Sequence, residues 1–390
     1  MKKTNTILAI ILFVMAGCGS GNKQSTDDII TVDVTASYPK KELILQDFMD
    51  VEYVPLETTD EFVTQCYVRD IGKEIILVTN RNRDGDLFVF DRKTGKGLRK
   101  INRKGQGGEE YANITGIILD EDNGEIIVDS PAEKFLVYDL YGNFKRSFNH
   151  PGGASCSDLF NYDRDHLICY DYSEHYNMGE DRVKSHHVIL SKQDGSVARE
   201  IRIPFKTIIT PVVKMGEGTA SAAVDQIIPY HGDWVLVETS SDTLYRYMPD
   251  GRISPFMVRT PSIQAMDPEV FLSVNILTDR YYFMKTIRNE FNFEKMTGFP
   301  ITGLMMYDRQ EKALFNYTVY NDDYTYKRAV DMVLRPVNHE IASVQNLEAH
   351  RLMDDCGKGK LKGRLKEIAA GLEEDSNPVL MLIKHKKSNN

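Results

Sequence analysis

The sequence predicts an all-β fold, a six-bladed β-propeller of four-stranded blades. A short apolar strand that ends in a polar residue recurs six times along the chain. The first five copies are each followed by an aromatic-rich strand and a tight turn, and the spacing between copies is irregular. In a propeller the strands stay regular while loops of variable length lie on the faces, so irregular spacing of similar units is typical of this architecture.

The chain does not begin with the propeller. Two lysines precede an apolar run over residues 7–15, and Ala-Gly-Cys18 follows, as in a secretory signal. The apolar run is too short to span a bilayer. We therefore predict a signal peptide over residues 1–17 and a flexible polar tether over residues 18–29. A cysteine directly after Ala-Gly resembles the lipobox of bacterial lipoproteins, which makes Cys18 the predicted lipidation site; an ordinary cleaved signal is the alternative.

The repeat itself is placed by its second strands and its turns. The second strands are predicted to begin at Ile75, Ile126, Leu167, Trp234, Tyr282 and Ile341. Each of the first five is followed by a hairpin such as "LFVFDRKTGK" (residues 87–96), in which Gly or Asp supplies the backbone conformations of a tight turn. The turn residues are Asp91, Asp139, Asp194, Asp250 and Asp308, with Gly95, Gly142, Gly195 and Gly251 close by. A β-sandwich would not repeat the same turn at the same place.

The glycine-rich stretch "INRKGQGGEEYANITGI" (residues 101–117) is interpreted as a connector between the first and second blades. A phosphate-binding loop would need a helix after it. The β-branched Ile114, Ile117 and Ile118 predict a strand there instead.

The last unit indicates how the ring closes. Leucines and an isoleucine at helical spacing between Leu361 and Leu372 predict an amphipathic helix inserted in the last blade. The chain then returns as a strand near its end, and that blade lacks an outer strand. Because Asp50–Thr58 belongs to no blade, we predict that it pairs with Val379–Lys384, which also removes an exposed sheet edge. The propeller domain is thus predicted over residues 30–390.

Several segments resemble a known family, the six-bladed β-propeller lipoproteins of Bacteroidetes, which are similar to NHL-repeat and TolB-like propellers. The segments are "VPLETTDE" (54–61), "KGQGGEEY" (104–111), "IIVDSPAEKFLVYDLYGNF" (126–144) and "DSNPVLMLIKHKK" (375–387). The family's glycine element usually has G-x-G-P-G-E-Y, where this chain has Gly108 for the proline and Glu109 for the following glycine. The resemblance implies the fold; most members of this family have no assigned activity.

Composition excludes some function classes. A net charge of −9 and a pI near 5.6 argue against nucleic acid as a partner. Beyond Cys18, four cysteines remain without C-x-x-C or metal spacing, so buried free thiols are expected, and no metal or cofactor is predicted. Neither H-E-x-x-H nor G-x-S-x-G occurs, and no catalytic residue is nominated.

The candidate ligand-binding residues form two sets. The first set follows the second strands, where a ring around the central channel would hold a polar ligand: Thr79, Asp129, Asp171, Glu238, Lys285 and Gln345. The second set consists of aromatic residues in two long insertions, able to stack on a sugar or clasp a peptide: Tyr172, Tyr176, Phe291 and Phe293. Polar residues also occur at strand ends without binding a ligand, because the loops that follow are exposed to solvent. Aromatic residues also pack locally over blade edges, so both alternatives stay open.

Together these observations predict a lipoprotein held in the outer membrane by its lipid anchor, on the periplasmic or cell-surface side. Its propeller is expected to be a non-catalytic binding or scaffold module of the cell envelope. The expected partner is a small polar ligand, a glycan, a peptide or an envelope protein. The alternative is a calcium-dependent propeller hydrolase or lyase acting on a carbohydrate-like substrate.

Overall fold

The computed structural model of the chain describes residues 29–81, 83–130, 134–151, 156–173 and 186–386. The described chain begins with a segment that lies outside the repeat. It contains β1 (Ile30–Asp33), β2 (Lys40–Ile44), the one-turn helix α1 (Leu45–Phe48) and β3 (Met49–Pro55). The predicted signal peptide, the tether to residue 28 and Cys18 lie outside the described residues.

The first three blades each consist of four antiparallel strands in chain order. Blade 1 contains β4 (Tyr67–Ile71), β5 (Ile75–Thr79), β6 (Asp86–Asp91) and β7 (Gly97–Asn102). Blade 2 contains β8 (Gly116–Asp120), β9 (Glu125–Ser130), β10 (Lys134–Asp139) and β11 (Phe144–Asn149). Blade 3 contains β12 (Cys156–Asn161), β13 (His166–Asp171), β14 (His187–Ser191) and β15 (Val197–Ile201).

The next two blades carry additional strands. A hairpin of β16 (Val212–Met215) and β17 (Gly218–Ser221) precedes blade 4, which contains β18 (Ile227–Tyr230), β19 (Asp233–Leu236), β20 (Thr243–Tyr247) and β21 (Ile253–Thr260). Blade 5 contains β22 (Val270–Leu277), β23 (Tyr281–Arg288), β26 (Ile301–Asp308) and β27 (Ala313–Asn321). A small hairpin of β24 (Phe291–Asn292) and β25 (Thr297–Gly298) interrupts blade 5, and β28 (Arg328–Val330) pairs with β27.

Blade 6 closes the ring in the predicted way. It contains β29 (Ile341–Leu347) and β30 (Val379–His385), and its outer strand is β3 from the beginning of the chain. The register runs from Met49 opposite His385 to Pro55 opposite Val379, so the predicted pairing of the two ends is confirmed. This sheet has three strands, because the segment over residues 331–338, which contains Pro336, takes the inner position without forming a ladder.

Burial along each strand explains why the strands form. The second strand β5, "IILVT", is buried at all five positions because neighbouring blades cover both of its faces. The outer strand β7, "GLRKIN", is exposed at every other residue, since one of its faces meets water. The core is accordingly divided into apolar clusters, one between each pair of adjacent blades. The cluster between blades 6 and 1 joins Leu380 and Leu382 to Phe88 and Phe90, which seals the ring.

Two features differ from the sequence-based expectations. β1 and β2 were not predicted, and they add parallel outer strands to blades 4 and 5, opposite β21 and β27. The insertion in blade 6 forms two helices, α2 (Ala349–Gly357) and α3 (Gly363–Ala369), where one was predicted. Their apolar sides pack together with Val379 of β30.

Candidate functional site

We call the face at which the second strand of each blade ends the loop face. Because each blade is antiparallel, its first strand begins on this face as well. The longest insertions therefore share it. The loop between β23 and β26 reaches the connector hairpin before blade 4, where Phe293 packs on Gly218. The Asn289 amide also donates to the Thr210 carbonyl (3.3 Å).

The predicted ring residues lie at this face, and each has its own partner. Thr79 Oγ1 accepts from Arg69 Nε (2.7 Å) within blade 1. In blade 2 Asp129 Oδ1 lies 2.8 Å from His150 Nε2, and both side chains are buried. Glu238 of blade 4 contacts His186 of blade 3, described below.

The remaining ring residues are likewise engaged by neighbouring groups. Lys285 Nζ donates to the Val333 carbonyl (3.4 Å) of the next blade. Gln345 Nε2 donates to the Asp331 carbonyl (2.9 Å). Asp171 is buried and accepts a hydrogen bond from the Ser173 amide (3.0 Å). A single convergent ring around the channel stays a prediction.

A buried acid–imidazole pair joins blades 3 and 4. His186 Nδ1 lies 2.6 Å from Glu238 Oε2, both side chains are 1% exposed, and the Tyr170 hydroxyl lies 3.4 Å from the same carboxylate. Burial is the largest single influence and would raise the pKa of Glu238, but the hydrogen bond and charge of His186, with smaller contributions from His187 and the Ser240 amide, together hold that pKa below its usual value. Phe205 stacks on the His186 ring. This pair ties two blades together beneath the surface.

Two of the four predicted aromatic residues, Phe291 and Phe293, pack against each other. Phe291 makes an edge-to-face contact with Phe293 (ring centroids 4.8 Å apart) and packs on Phe299 (5.4 Å). Tyr172 packs against the cluster between blades 3 and 4. Tyr176 lies outside the described residues.

The central axis is crossed by charged groups from opposite blades. Arg335, from the inner segment of blade 6, lies 3.5 Å from Asp158 of blade 3. Asp225 accepts a hydrogen bond from the Asn275 amide (2.6 Å). Burial, with the neighbouring Asp158 carboxylate, raises the pKa of Asp225 to about 6, while Lys285 and Arg335 oppose that rise. These contacts brace the inner strands across the channel.

The clearest candidate site is a cleft of about 400 Å³ on the loop face of blade 1. It lies between β4, the loop after β5 and the connector to blade 2. Three arginines line it, Arg69, Arg81 and Arg83, with Tyr67 and Thr79. We call it the arginine cleft.

Both signs of charge line this cleft, with the three arginines beside the carboxylates of Asp84 and Asp86. Arg69, Arg81 and Arg83 form no ion pair with a carboxylate of the described residues. Burial lowers the pKa of the Arg69 guanidinium, with the Tyr67 hydroxyl opposing the shift. The Tyr67 ring is 43% exposed and lies 4.4 Å from the Arg69 guanidinium and 5.9 Å from that of Arg81. An exposed aromatic ring flanked by unpaired guanidinium groups favours an anionic ligand with a flat or apolar face.

The glycine-rich connector supports the wall of this cleft. The Tyr111 hydroxyl donates to the Gly85 carbonyl (2.7 Å), and Lys104 Nζ donates to the Arg83 carbonyl (2.7 Å). Within the connector, Glu110 accepts from the Gly107 amide (2.8 Å). The stretch joins β7 to β8, so its interpretation as a structural connector is confirmed. Its hydrogen bonds to the Arg83 and Gly85 carbonyls hold the arginine-bearing loop in place.

Of these cleft residues, sequence reasoning identified only Thr79. The signal that could have found the others is the pair Arg81 and Arg83 in one short loop of an acidic chain. Arg69 could not have been found, because only the pairing of β4 with β5 brings it beside Thr79.

Within the described ranges, no three His, Cys, Asp or Glu side chains are grouped as a metal site. Among the same residues, no helix is long and apolar enough to cross a membrane.

Six radial sheets, closed by pairing the beginning of the chain with its end, define the protein as a six-bladed β-propeller. Residues 20–341 match the six-bladed β-propeller family DUF5128, and the chain belongs to that family. No curated protein matches the sequence.

Solved structures share the fold at low sequence identity. A Bacteroides fragilis protein whose name describes it as exported is 16% identical, with a TM-score of 0.57 over 92% of this chain and 100% of its own. A DUF4221 family member from Bacteroides vulgatus is 10% identical, with a TM-score of 0.43 over 87% and 98%. Virginiamycin B lyase from Staphylococcus aureus is 12% identical, with a TM-score of 0.36 over 65% and 73%.

Proposed function

We propose that the protein is an exported, lipid-anchored propeller of the cell envelope that binds an anionic ligand in the arginine cleft without catalysis. The supporting observation is the cleft itself, in which three arginines remain without ion-pair partners among the described residues. In a chain of net charge −9, such a local concentration of cations provides a site that attracts anions.

The chemistry of the cleft restricts the ligand. A guanidinium group binds carboxylate, sulfate or phosphate oxygens through paired N–H donors. The Tyr67 ring offers a surface on which a sugar ring can stack. Aspartates 84 and 86 line the same cleft and can accept hydrogen bonds from hydroxyl groups. An acidic sugar satisfies all three requirements.

The test is equilibrium binding of the full chain, purified in detergent, to acidic and neutral oligosaccharides and acidic peptides. Replacing Arg81 and Arg83 together by alanine should weaken binding of the best anion by about tenfold or more, since a hydrogen bond to a charged group contributes roughly 1.5–3 kcal/mol. Binding should also weaken with added salt. Both side chains are exposed, so the fold should persist.

The matched control is Arg288→Ala. Arg288 lies at the same loop face on blade 5 and pairs with Glu290 (3.5 Å). This variant should bind like the unaltered protein. Equal binding by the double variant, or tighter binding of a neutral oligosaccharide, would refute the proposed site.

The anchor is tested separately. Replacing Cys18 by alanine should release the protein from the membrane fraction and abolish incorporation of a radiolabelled fatty acid. If the variant still carries the label, the acylated residue is another one.

A further inference from the structure

A second cleft of about 370 Å³ lies on blade 6, between β28 and the start of α2. Tyr324, Tyr326, Arg328, Asn346 and Arg351 are among the residues that line it. We call it the helix cleft. The Tyr326 ring is 39% exposed, so this cleft, like the arginine cleft, presents an accessible aromatic ring.

The two clefts are neighbours on the loop face. Asn346, which lines the helix cleft, donates from Nδ2 to the Cys66 carbonyl (2.6 Å). The next residue, Tyr67, lines the arginine cleft. Gln65 accepts a hydrogen bond from the Arg81 amide (2.9 Å), so the short segment over residues 64–67 touches both sites.

The helix cleft, like the arginine cleft, contains arginines without ion-pair partners among the described residues. Two of its three acidic residues pair with lysines, Asp354 with Lys358 (2.7 Å) and Asp355 with Lys360 (3.2 Å), whereas Glu348 forms no ion pair within the described ranges. Arg328 and Arg351 are exposed and form no ion pair with a carboxylate in the described part of the chain. Unpaired arginines thus lie on both sides of the segment over residues 64–67.

We propose that the two clefts form one extended binding surface across the ring closure, and that its ligand is an acidic polysaccharide bearing carboxylates and free hydroxyl groups. This inference rests on the proposed function and extends it, because one cleft accepts a single acidic sugar whereas two adjacent clefts accept a chain. Binding a chain at both clefts makes the second contact intramolecular and raises affinity without requiring tighter individual sites.

The arrangement favours a sugar chain over a nucleic acid. Each cleft pairs one exposed tyrosine with separated guanidinium groups, which matches carboxylates spaced along a chain of rings. Carboxylates also line both clefts, among them Asp86 and Glu348, and they can accept hydrogen bonds from hydroxyl groups. A nucleic acid carries a phosphate on every nucleotide and offers these carboxylates fewer free hydroxyl groups than a sugar chain does, so it matches the clefts less well.

The experiment compares a dimer and a hexamer of oligogalacturonate by calorimetry with the full chain in detergent. We expect the hexamer to bind at least tenfold more tightly than the dimer. Replacing Arg328 and Arg351 together by alanine should reduce hexamer affinity to that of the dimer and leave the dimer unchanged. The control is Arg364→Ala, on the same helical insertion and paired with Glu367 (3.0 Å), which should change neither affinity.

The outcomes separate the two proposals. If the hexamer and dimer bind equally and the Arg81/Arg83 variant weakens both, the extended surface is refuted while the arginine cleft stands. If neither oligomer binds, or if the Arg81/Arg83 variant leaves both affinities unchanged, the proposed function fails, and the extended surface with it. A single-stranded DNA hexamer that binds as tightly as the oligogalacturonate hexamer would overturn the assignment of ligand class.

Discussion

Gly95 offers the sharpest test of how the ring is fastened. It lies in the turn between β6 and β7 with φ of +72°, a conformation that costs an alanine about 1–2 kcal/mol. A Cβ atom at this position would lie 1.9 Å from the Pro55 carbonyl oxygen and 3.3 Å from Val54 Cγ1. The obstacle is therefore the backbone of the closing strand β3, which cannot move aside like the end of a flexible side chain.

Gly95→Ala should consequently lower the free energy of unfolding by more than the cost of the positive φ alone. Displacing packed backbone costs about 1–3 kcal/mol by analogy with an overpacked core, so the total loss should be about 2–5 kcal/mol. The control is Gly124→Ala, in the turn between β8 and β9, where φ is +64° and no atom lies within 4 Å of the added carbon. That variant should lose only about 1–2 kcal/mol.

The assay is urea unfolding followed by the fluorescence of Trp234 and by circular dichroism. A larger loss in Gly95→Ala than in Gly124→Ala supports the tight closure between blades 6 and 1. Equal losses in the two variants would refute the reasoning, because they would show that β3 yields without cost.

Other predictions concern single contacts. Hydrogen bonds from Arg280, from Lys41 of β2 (2.8 Å) and from two backbone amides together overcome the effect of burial and hold the pKa of Asp308 at about 2. Asp308→Asn should therefore lower the free energy of unfolding by about 2 kcal/mol at pH 7. The unaltered protein should lose this contribution as the pH falls from about 4 to 2, whereas the variant should show no such loss. Urea titrations at several pH values measure both effects. Leu45→Ala, at a fully buried position of α1, should cost about 2–5 kcal/mol, and a smaller loss in the same assay would indicate that the core closes around the cavity. Tyr282→Phe leaves the buried Tyr230 hydroxyl without its partner at 2.8 Å and should cost about 1–3 kcal/mol; an unchanged midpoint would show that the pair contributes nothing.

The fold could be predicted from the sequence because its signals are local and repeated. Gly95, Gly142, Gly195 and Gly251 all adopt positive φ in the predicted turns, and the second strands of blades 1 to 5 each contain an unbroken apolar run. The added strands β1 and β2 gave no such signal. "ITVD" and "KKELI" are short and polar on one side. They form strands because the outer edges of blades 4 and 5 offer them hydrogen-bonding partners.

The candidate site was harder to predict for a physical reason. A cleft between a first strand, a loop and a connector brings together Tyr67, Arg81 and Thr115, which no sequence period relates. The strand-end polar residues lie on the loop face, and their role in binding stays a prediction because their partners come from other segments, as Asp129 and His150 illustrate. Whether such a residue is free for a ligand depends on long-range contacts that a linear pattern does not encode.

The path of the first described residues has a mechanical consequence. From Ile30 the chain runs along the rim of the disc, adding β1 to blade 4 and β2 to blade 5 before β3 completes blade 6. A force applied to the residues before Ile30 therefore loads β1 first, then the Lys41–Asp308 contact on β2, and only afterwards the seam of the ring. Tension on the leading end should therefore peel β1 and β2 from blades 4 and 5 before it reaches the pairing of β3 with β30.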